Sequence, residues 1–142
     1  MQEIRTPFFI GITGHRKIDD HNLISEAIGR VIDEKIKAIV SDEQGNIEKH
    51  TIVGISPLAE GSDRLFAKQI LSRPDSVLSI VLPFDKTQYI NSFDGILDTK
   101  GNQIVSKEDS IKEFEALLEK DDDYLELAEY RVKGAAQMNK YY

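Results

Sequence analysis

Three short apolar runs limit the folds open to this chain more than any other feature of its sequence. They are Phe8–Thr13, Thr51–Ile55 and Ser76–Leu82, and each is rich in β-branched or aromatic residues. Such runs, bounded by proline, glycine or polar residues, are typical of strands. Because Ser76–Leu82 does not alternate between apolar and polar residues, we expect this third strand to be covered on both faces, as in a parallel sheet.

The gaps between these runs have helical periodicity. The first helix is expected to follow Asp19 or Asp20, either of which can cap it, and the second to open at Gly61-Ser62-Asp63. Their apolar residues recur three or four positions apart: Leu23, Ile24, Ala27, Ile28, Val31, Ile32, Ile36 and Ile39 in the first helix, and Leu65, Phe66, Ile70 and Leu71 in the second. Strands that alternate with helices over short connections predict an α/β fold, a Rossmann-like parallel sheet flanked by helices, with residues 1–142 as one domain.

The sequence after Pro83 is less regular. We expect a short helix at 87–93, a small hairpin insertion at 96–105 and a helix capped by Ser106. A last helix is expected from about Tyr124 toward the end of the sequence. A fourth parallel strand is expected after such a helix, which suggests a domain truncated after its last helix.

The net charge of −7 is concentrated in one acidic segment, residues 106–129, which holds ten acidic and three basic residues. The remainder is neutral, which argues against binding of duplex nucleic acid, since that requires many lysine and arginine contacts. The chain has no cysteine and therefore no disulfide, thiolate nucleophile or cysteine-based zinc site. No apolar run approaches the roughly 20 residues of a membrane span, and the first residues lack the signal-peptide pattern. We expect a cytoplasmic protein that does not bind membranes.

Two glycine-containing loops carry the candidate chemistry. They lie in Gly11–Arg16, "GITGHR", after the first strand, and in Gly54–Arg64, "GISPLAEGSDR", after the second. Ligands of open α/β sheets bind at the carboxyl ends of the strands. Glycine lets a backbone approach a ligand, a helix N-terminus favours an anion, and an arginine fork suits phosphate. The predicted ligand-binding residues are Gly11, Thr13, Gly14, His15, Arg16, Ser56, Gly61, Ser62, Asp63 and Arg64.

Each of these residues also has a purely structural interpretation. Gly14 can serve a tight turn, Asp63 can cap a helix, and Arg64 can pair with Asp63 or Glu60. As catalytic groups, Glu60, Asp63 and His15 are the only candidates, and a solvated loop position is the simpler interpretation of Glu60. His21 and His50 are expected at the surface and Asp121-Asp122-Asp123 at a solvated helix end. No metal site is predicted.

The paired motifs resemble the SLOG superfamily of Rossmann-like domains, which includes DNA-processing protein A and the lonely-guy phosphoribohydrolases. The likeness covers Phe8 to about Phe84 and is greatest to uncharacterised branches found beside bacterial conflict and nucleotide-signalling systems. It implies a first ligand loop of Gly11, Thr13, Gly14 and Arg16 and a second of Gly61, Ser62, Asp63 and Arg64. The Pro-Gly-Gly loop of the phosphoribohydrolases does not occur in this sequence, which favours binding over hydrolysis.

Three functions follow as hypotheses. The first is a sensor module that binds a nucleotide or nucleotide-derived phosphate through the two loops. The second is an N-glycosidic or phosphoribosyl hydrolase in which Glu60 or Asp63 activates water. The third is an interaction domain without a small ligand, docking through residues 106–129. The unpaired edges of a small parallel sheet also favour homo-oligomers.

Overall fold

A computed structural model describes residues 5–42 and 50–127. Four strands form a parallel sheet in the order β1-β2-β3-β6, and two short strands form an antiparallel hairpin, β4-β5. Their bounds are β1 Thr6–Gly11, β2 His50–Ser56, β3 Ser76–Leu82, β4 Ile96–Leu97, β5 Gln103–Val105 and β6 Leu125–Glu126. The predicted fold class, a Rossmann-like parallel sheet flanked by helices, is confirmed.

The helices of the described residues are α1 His21–Asp42, α2 Ser62–Leu71, α3 Lys86–Asn91 and α4 Lys107–Leu118. Three of these four helices, α1, α3 and α4, begin after a residue whose side chain caps them, whereas α2 follows Gly61 without a side-chain cap. The Asp20 carboxylate accepts a hydrogen bond from the Leu23 N–H at 3.0 Å, and the Ser106 hydroxyl accepts one from the Asp109 N–H at 3.2 Å. Each therefore satisfies a donor of the first turn that has no partner within the helix. Asp20, not Asp19, caps α1.

All four helices pack on one face of the sheet. In β1 and β2 this face presents Phe8, Ile10 and Ile52 to α1 and α2. In β3 it presents Leu78, Ile80 and Leu82 to α2, α3 and α4, where the largest group of buried apolar side chains lies. This arrangement follows from the sheet order, because each crossover steps in the same direction and right-handed crossovers then fall on the same side.

The opposite face, here called the open face, is formed by the alternate strand residues Pro7, Phe9, Thr51, Val53, Ile55, Val77, Ser79, Val81 and Leu125. Phe9 is 61% and Val77 49% exposed. The prediction that the third strand, β3, is covered on both faces is therefore wrong for the described residues. The apolar runs match those of a doubly covered sheet, but helices pack against one side alone.

Residues 125–127 also differ from the prediction. Residues 125–126, expected within a last helix from about Tyr124, form β6 beside β3. The Leu127 N–H extends the pairing to the Leu82 carbonyl at 3.0 Å. A fourth parallel strand, expected only after that helix, thus already precedes residue 128. The rest of the expected helix lies outside the described residues.

Other element boundaries in the structure differ from the predicted ones by a few residues. β1 begins at Thr6 and ends at Gly11, two residues before the predicted end at Thr13. The hairpin at 96–105 is confirmed, with Gly101 at φ 86° in its turn. It docks on the loop after β1, where the Ile18 N–H donates to the Leu97 carbonyl at 3.3 Å and Thr99 donates to the Asp19 carboxylate.

Candidate functional site

The two predicted loops meet at the carboxyl ends of β1 and β2, as expected for neighbouring parallel strands. The His15 carbonyl accepts hydrogen bonds from both the N–H and the hydroxyl of Ser62, each at 3.2 Å. Gly61 has φ 97°, and a Cβ there would collide with the carbonyl groups of His15 and Arg16. A Cβ at Gly14 would collide with the Ser62 hydroxyl.

These contacts change the interpretation of the glycines. Gly14 and Gly61 allow one loop backbone to lie directly on the other, so their first role is loop-to-loop packing. The Ser62 N–H, predicted to be free for an anion, is occupied by the His15 carbonyl. The helix N-terminus is therefore partly capped by the protein's own backbone.

Arg64, predicted to bind the ligand or to pair with a neighbouring carboxylate, lies inside the protein. Its side chain is 1% exposed. Its Nε donates to the Leu58 carbonyl at 3.1 Å, and its Nη1 donates to the Ser110 carbonyl at 2.9 Å and hydroxyl at 2.7 Å. Nη1 also lies 3.4 Å from the Glu113 carboxylate. The guanidinium thus joins the loop after β2 to α4 inside the protein, and its fork does not face solvent.

The surroundings of Arg64 are apolar as well as acidic. The guanidinium carbon lies 4.8 Å from the Phe93 ring centre and 5.8 Å from that of Phe114. Burial lowers the pKa of Arg64, while Glu113 and Glu60 oppose this shift. Its Nη2 is buried without a hydrogen-bond partner among the described residues.

Glu60 is also buried, at 2% exposure, and is not the solvated loop residue of the simpler interpretation. One carboxylate oxygen accepts from the Asp94 N–H at 2.8 Å, and the other accepts from the Ser110 hydroxyl at 2.5 Å. The first oxygen also lies 3.9 Å from Arg16 Nη1. Glu60 therefore links the loop after β2 to α4 and to the approach to the hairpin.

Asp63 lies in the first turn of α2 and is buried. Burial raises the pKa of its carboxyl group, whereas the Ala59 N–H and the charges of Arg16 and Arg64 lower it to a smaller extent. A carboxyl group with a raised pKa at the carboxyl edge of a sheet is a candidate acid or base, although buried structural networks shift pKa values in the same way.

Arg16 is the cation of the two motifs that reaches the surface, with 41% of its side chain exposed. Its Nη1 donates to the Ser92 carbonyl at 3.2 Å. The guanidinium carbon lies 6.0 Å from the Tyr89 ring centre and 5.9 Å from that of Phe93. Thr13, Gly14 and His15 are exposed beside it on the same loop. Burial raises the pKa of the Tyr89 hydroxyl to about 12.

Other predicted residues lie elsewhere or are occupied. Ser56 is fully buried, with its hydroxyl donating to the Asp63 carbonyl and accepting from the Leu58 N–H. His50, predicted at the surface, is buried at the start of β2, and His21 is half-buried. Asp121, predicted in a solvated helix end, accepts a hydrogen bond from the Ile80 N–H at 2.8 Å.

Two cavities among the described residues lie away from the polar side chains of the two loops. One of about 210 Å³ lies at the amino ends of the strands, between residues of α1 such as Asp33 and Ile36 and the segment Arg73–Asp75. A groove of about 350 Å³ follows β1 and α1, and its walls are mainly isoleucines. Gly11 lines this apolar groove and not the polar loop edge.

Five residues of this region were not predicted from the sequence: Tyr89, Phe93, Ser110, Glu113 and Phe114. Ser110 and Glu113 are 46 and 49 residues from Arg64. Ser110 and Phe114 share the buried face of α4, which their spacing of four could have indicated. Nothing in the sequence near Arg64 points to α4 as its partner.

The described residues contain no cluster of histidine and carboxylate side chains arranged to hold a metal ion. Among the helices in the same ranges, none combines the length and the hydropathy needed to cross a bilayer. No protein-family model, curated protein or solved structure matches the chain. The fold and the buried charged network therefore define its class: an α/β protein with a Rossmann-like parallel sheet.

Proposed function

We propose that this chain binds a nucleotide or nucleotide-derived phosphate ligand at the carboxyl edge of β1 and β2 and acts as a cytoplasmic sensor module. One observation carries the proposal. Arg16 presents a partly exposed guanidinium at this edge, beside the exposed Thr13 and His15. Ligands of open α/β sheets bind at this position.

The setting of Arg16 suits phosphate recognition for a physical reason. A guanidinium fork can hold two phosphate oxygens at once. The Ser92 carbonyl and the rings of Tyr89 and Phe93 already restrict this side chain. A restricted side chain loses less conformational entropy when it binds, because part of that loss occurs on folding.

The likeness to the SLOG superfamily is part of the same proposal and rests on the two loop motifs. Within it, Thr13 and Arg16 of the first loop keep their proposed ligand roles, whereas Gly11 lines the apolar groove and Gly14 packs on Ser62. In the second loop, Gly61, Ser62 and Arg64 instead support the first loop and α4. Arg16 therefore replaces Arg64 as the residue whose removal tests binding.

The test is a thermal-shift panel with AMP, ATP, GTP, NAD, ADP-ribose and cyclic nucleotides. At 100 times its dissociation constant, a ligand stabilises the native protein by about 2.7 kcal/mol, which raises the melting temperature by several degrees. We expect Arg16→Ala to abolish the shift and leave the ligand-free melting temperature nearly unchanged. Arg30→Ala, at an exposed arginine of α1, is the matched control and should retain the shift.

Two results would contradict the proposal. One is a panel in which no compound shifts the unmodified protein. The other is a ligand whose effect survives Arg16→Ala, since the site then lies elsewhere. The first result would favour the interaction domain, which charge reversal at the exposed Asp122 and Asp123 would test by disrupting a complex.

The raised pKa of Asp63 favours a second candidate, an N-glycosidic or phosphoribosyl hydrolase. A carboxyl group whose pKa is raised by burial retains its proton to higher pH and can act as a general acid or base. Glu60 is a poorer candidate, because both of its oxygens accept hydrogen bonds inside the protein. The test measures release of free base from a nucleoside monophosphate. The hydrolase would be supported if Asp63→Asn abolished this release and the control variant Glu26→Gln, on the exposed side of α1, retained it. Absence of base release in the unmodified protein would refute it.

A further inference from the structure

A second cation, Lys107, lies beside Arg16 at the end of α3. The Lys107 Nζ donates a hydrogen bond to the Asn91 carbonyl at 3.5 Å, and the Arg16 Nη1 donates one to the Ser92 carbonyl at 3.2 Å. Asn91 and Ser92 are consecutive residues, and the Cα atoms of consecutive residues are about 3.8 Å apart. The two positive charges are therefore held at adjacent peptide units.

The hairpin β4-β5 explains how residues so distant in the sequence meet at this point. Its first strand holds the loop that carries Arg16, because Leu97 pairs with Lys17. The Leu97 carbonyl also accepts a hydrogen bond from the Ile18 N–H at 3.3 Å. The hairpin thus fixes the backbone that directly follows Arg16.

The same hairpin places Lys107. Gly95, with φ 87°, precedes the hairpin, and a Cβ there would collide with the carbonyl oxygen of Val105 at its other end. The same Cβ would lie 3.2 Å from the backbone nitrogen of Lys107. After the hairpin the chain therefore returns close to the end of α3, and α4 begins there with Lys107.

Both cations cap α3, but capping uses only part of their hydrogen-bonding capacity. The last carbonyls of a helix have no partner within it and attract positive charge. A guanidinium has five N–H donors and an ammonium has three. Among the described residues, each side chain makes one hydrogen bond. Both are partly exposed, so their remaining donors are accessible to a ligand.

Carboxylates do not occupy this pair of cations. Glu60 is the one described residue with a carboxylate oxygen within 4 Å of either charged group, at 3.9 Å from Arg16 Nη1. Both of its oxygens already accept hydrogen bonds inside the protein. An anion that approaches from solvent therefore meets two cations, and no described carboxylate is in contact with Lys107.

We propose that Arg16 and Lys107 form a subsite for two linked phosphate groups, so that the ligand carries a diphosphate and not a monophosphate. This inference rests on the proposed function, because it adds a second contact beside the same Arg16. The guanidinium fork holds one phosphate through two oxygens, and the ammonium holds the next as a point charge. A monophosphate held by the fork would gain little from Lys107.

Isothermal titration calorimetry with inorganic phosphate, pyrophosphate, AMP and ADP, at fixed ionic strength and without metal ions, tests the proposal. We expect pyrophosphate to bind about tenfold more tightly than phosphate, and ADP about tenfold more tightly than AMP, since one further hydrogen bond to a charged group supplies at least this factor. Arg16→Ala should weaken the binding of all four.

Variants at Lys107 separate a specific contact from overall charge. Lys107→Met keeps the side-chain stem, and it should remove both preferences while leaving the affinities for phosphate and AMP unchanged. Lys107→Arg keeps the charge and should retain the preferences. Lys112→Met, at an exposed lysine of the same helix, is the matched control and should change none of the four affinities. The melting temperature of each variant shows whether it is folded.

The possible failures are distinguishable. Preferences that survive Lys107→Met in a folded protein would overturn the inference and leave the proposed function in place, with Lys107 serving only to cap α3. Equal losses in Lys107→Met and Lys112→Met would also overturn it, because net charge would then explain the preference. ADP that binds no more tightly than pyrophosphate would refute nucleotide binding and support the diphosphate subsite alone. Absence of binding by all four compounds would overturn both.

Discussion

Arg64→Met gives the sharpest test of how the two motifs divide structural and binding roles. The substitution keeps an unbranched apolar stem and removes every donor of the guanidinium. The carbonyls of Leu58 and Ser110 would then lose a buried partner. Each buried acceptor left unpaired costs about 1–3 kcal/mol, and removing one partner of a buried ion pair costs about 3–5 kcal/mol. Since these costs overlap, we expect a loss of about 3–5 kcal/mol in the free energy of unfolding.

Urea unfolding followed by far-UV circular dichroism measures this loss. With a slope of about 2 kcal/mol/M, the midpoint should fall by roughly 2 M. Lys68→Met is the matched control, because Lys68 lies on the same helix and pairs with the same Glu113 at 2.7 Å, but is exposed. An exposed ion pair contributes about 0–1 kcal/mol, so its midpoint should move little.

The reasoning would be refuted if Arg64→Met and Lys68→Met moved the midpoint equally. Glu60→Gln provides an internal check. Arg64→Met leaves the buried Glu60 carboxylate without its nearest buried cation. Adding Glu60→Gln to Arg64→Met should therefore cost less than Glu60→Gln alone. Equal costs in the two backgrounds would show that the two side chains are not coupled.

Three further predictions concern the loops and the aromatic residues beside them. Because burial raises the pKa of Asp63, its carboxyl group stabilises the fold below its unfolded pKa, and this stability is lost as pH rises through the folded pKa. The free energy of unfolding of Asp63→Asn should therefore equal that of the unmodified protein near pH 3.5 and exceed it increasingly toward pH 7. A difference that stays constant with pH would contradict this prediction. Gly14→Ala should lower the free energy of unfolding by about 1–3 kcal/mol, because the added methyl group overpacks against Ser62. Urea midpoints should show a smaller loss when Ser62→Gly is already present. Equal losses in the two backgrounds would mean that Gly14 does not pack against Ser62. Tyr89 should ionise near pH 12, so Tyr89→Phe should leave tyrosinate absorbance below pH 11 unchanged; a loss of absorbance there would show that the hydroxyl is not buried.

Elements determined by local sequence were predicted well. β2 and β3 lie within one residue of the predicted runs, and Asp20 and Ser106 cap helices as expected. Capping and strand propensity act over a few residues, so one sequence contains the needed information. The prediction of a hairpin at 96–105 succeeded for the same reason.

Features that depend on residues far apart in the sequence were not predicted. The exposure of Phe9 and Val77 follows from the order of the strands, which no local pattern reveals. Strand residues that face solvent and those that face the helices are equally apolar here. The burial of Arg64 depends on α4, whose Ser110 lies 46 residues away.

The contacts of the two arginines explain why the proposed ligand site is assigned to Arg16 and not to Arg64. Arg64 donates four hydrogen bonds within the protein, three of them to buried acceptors. A ligand could reach Arg64 only by breaking this network. Arg16 lies 3.9 Å from the Glu60 carboxylate, beyond hydrogen-bond distance, and donates to the Ser92 carbonyl. Because ionic hydrogen bonds are typically about 2.7–2.9 Å long, a phosphate that approached Arg16 from solvent could form the closer contact that Glu60 does not make.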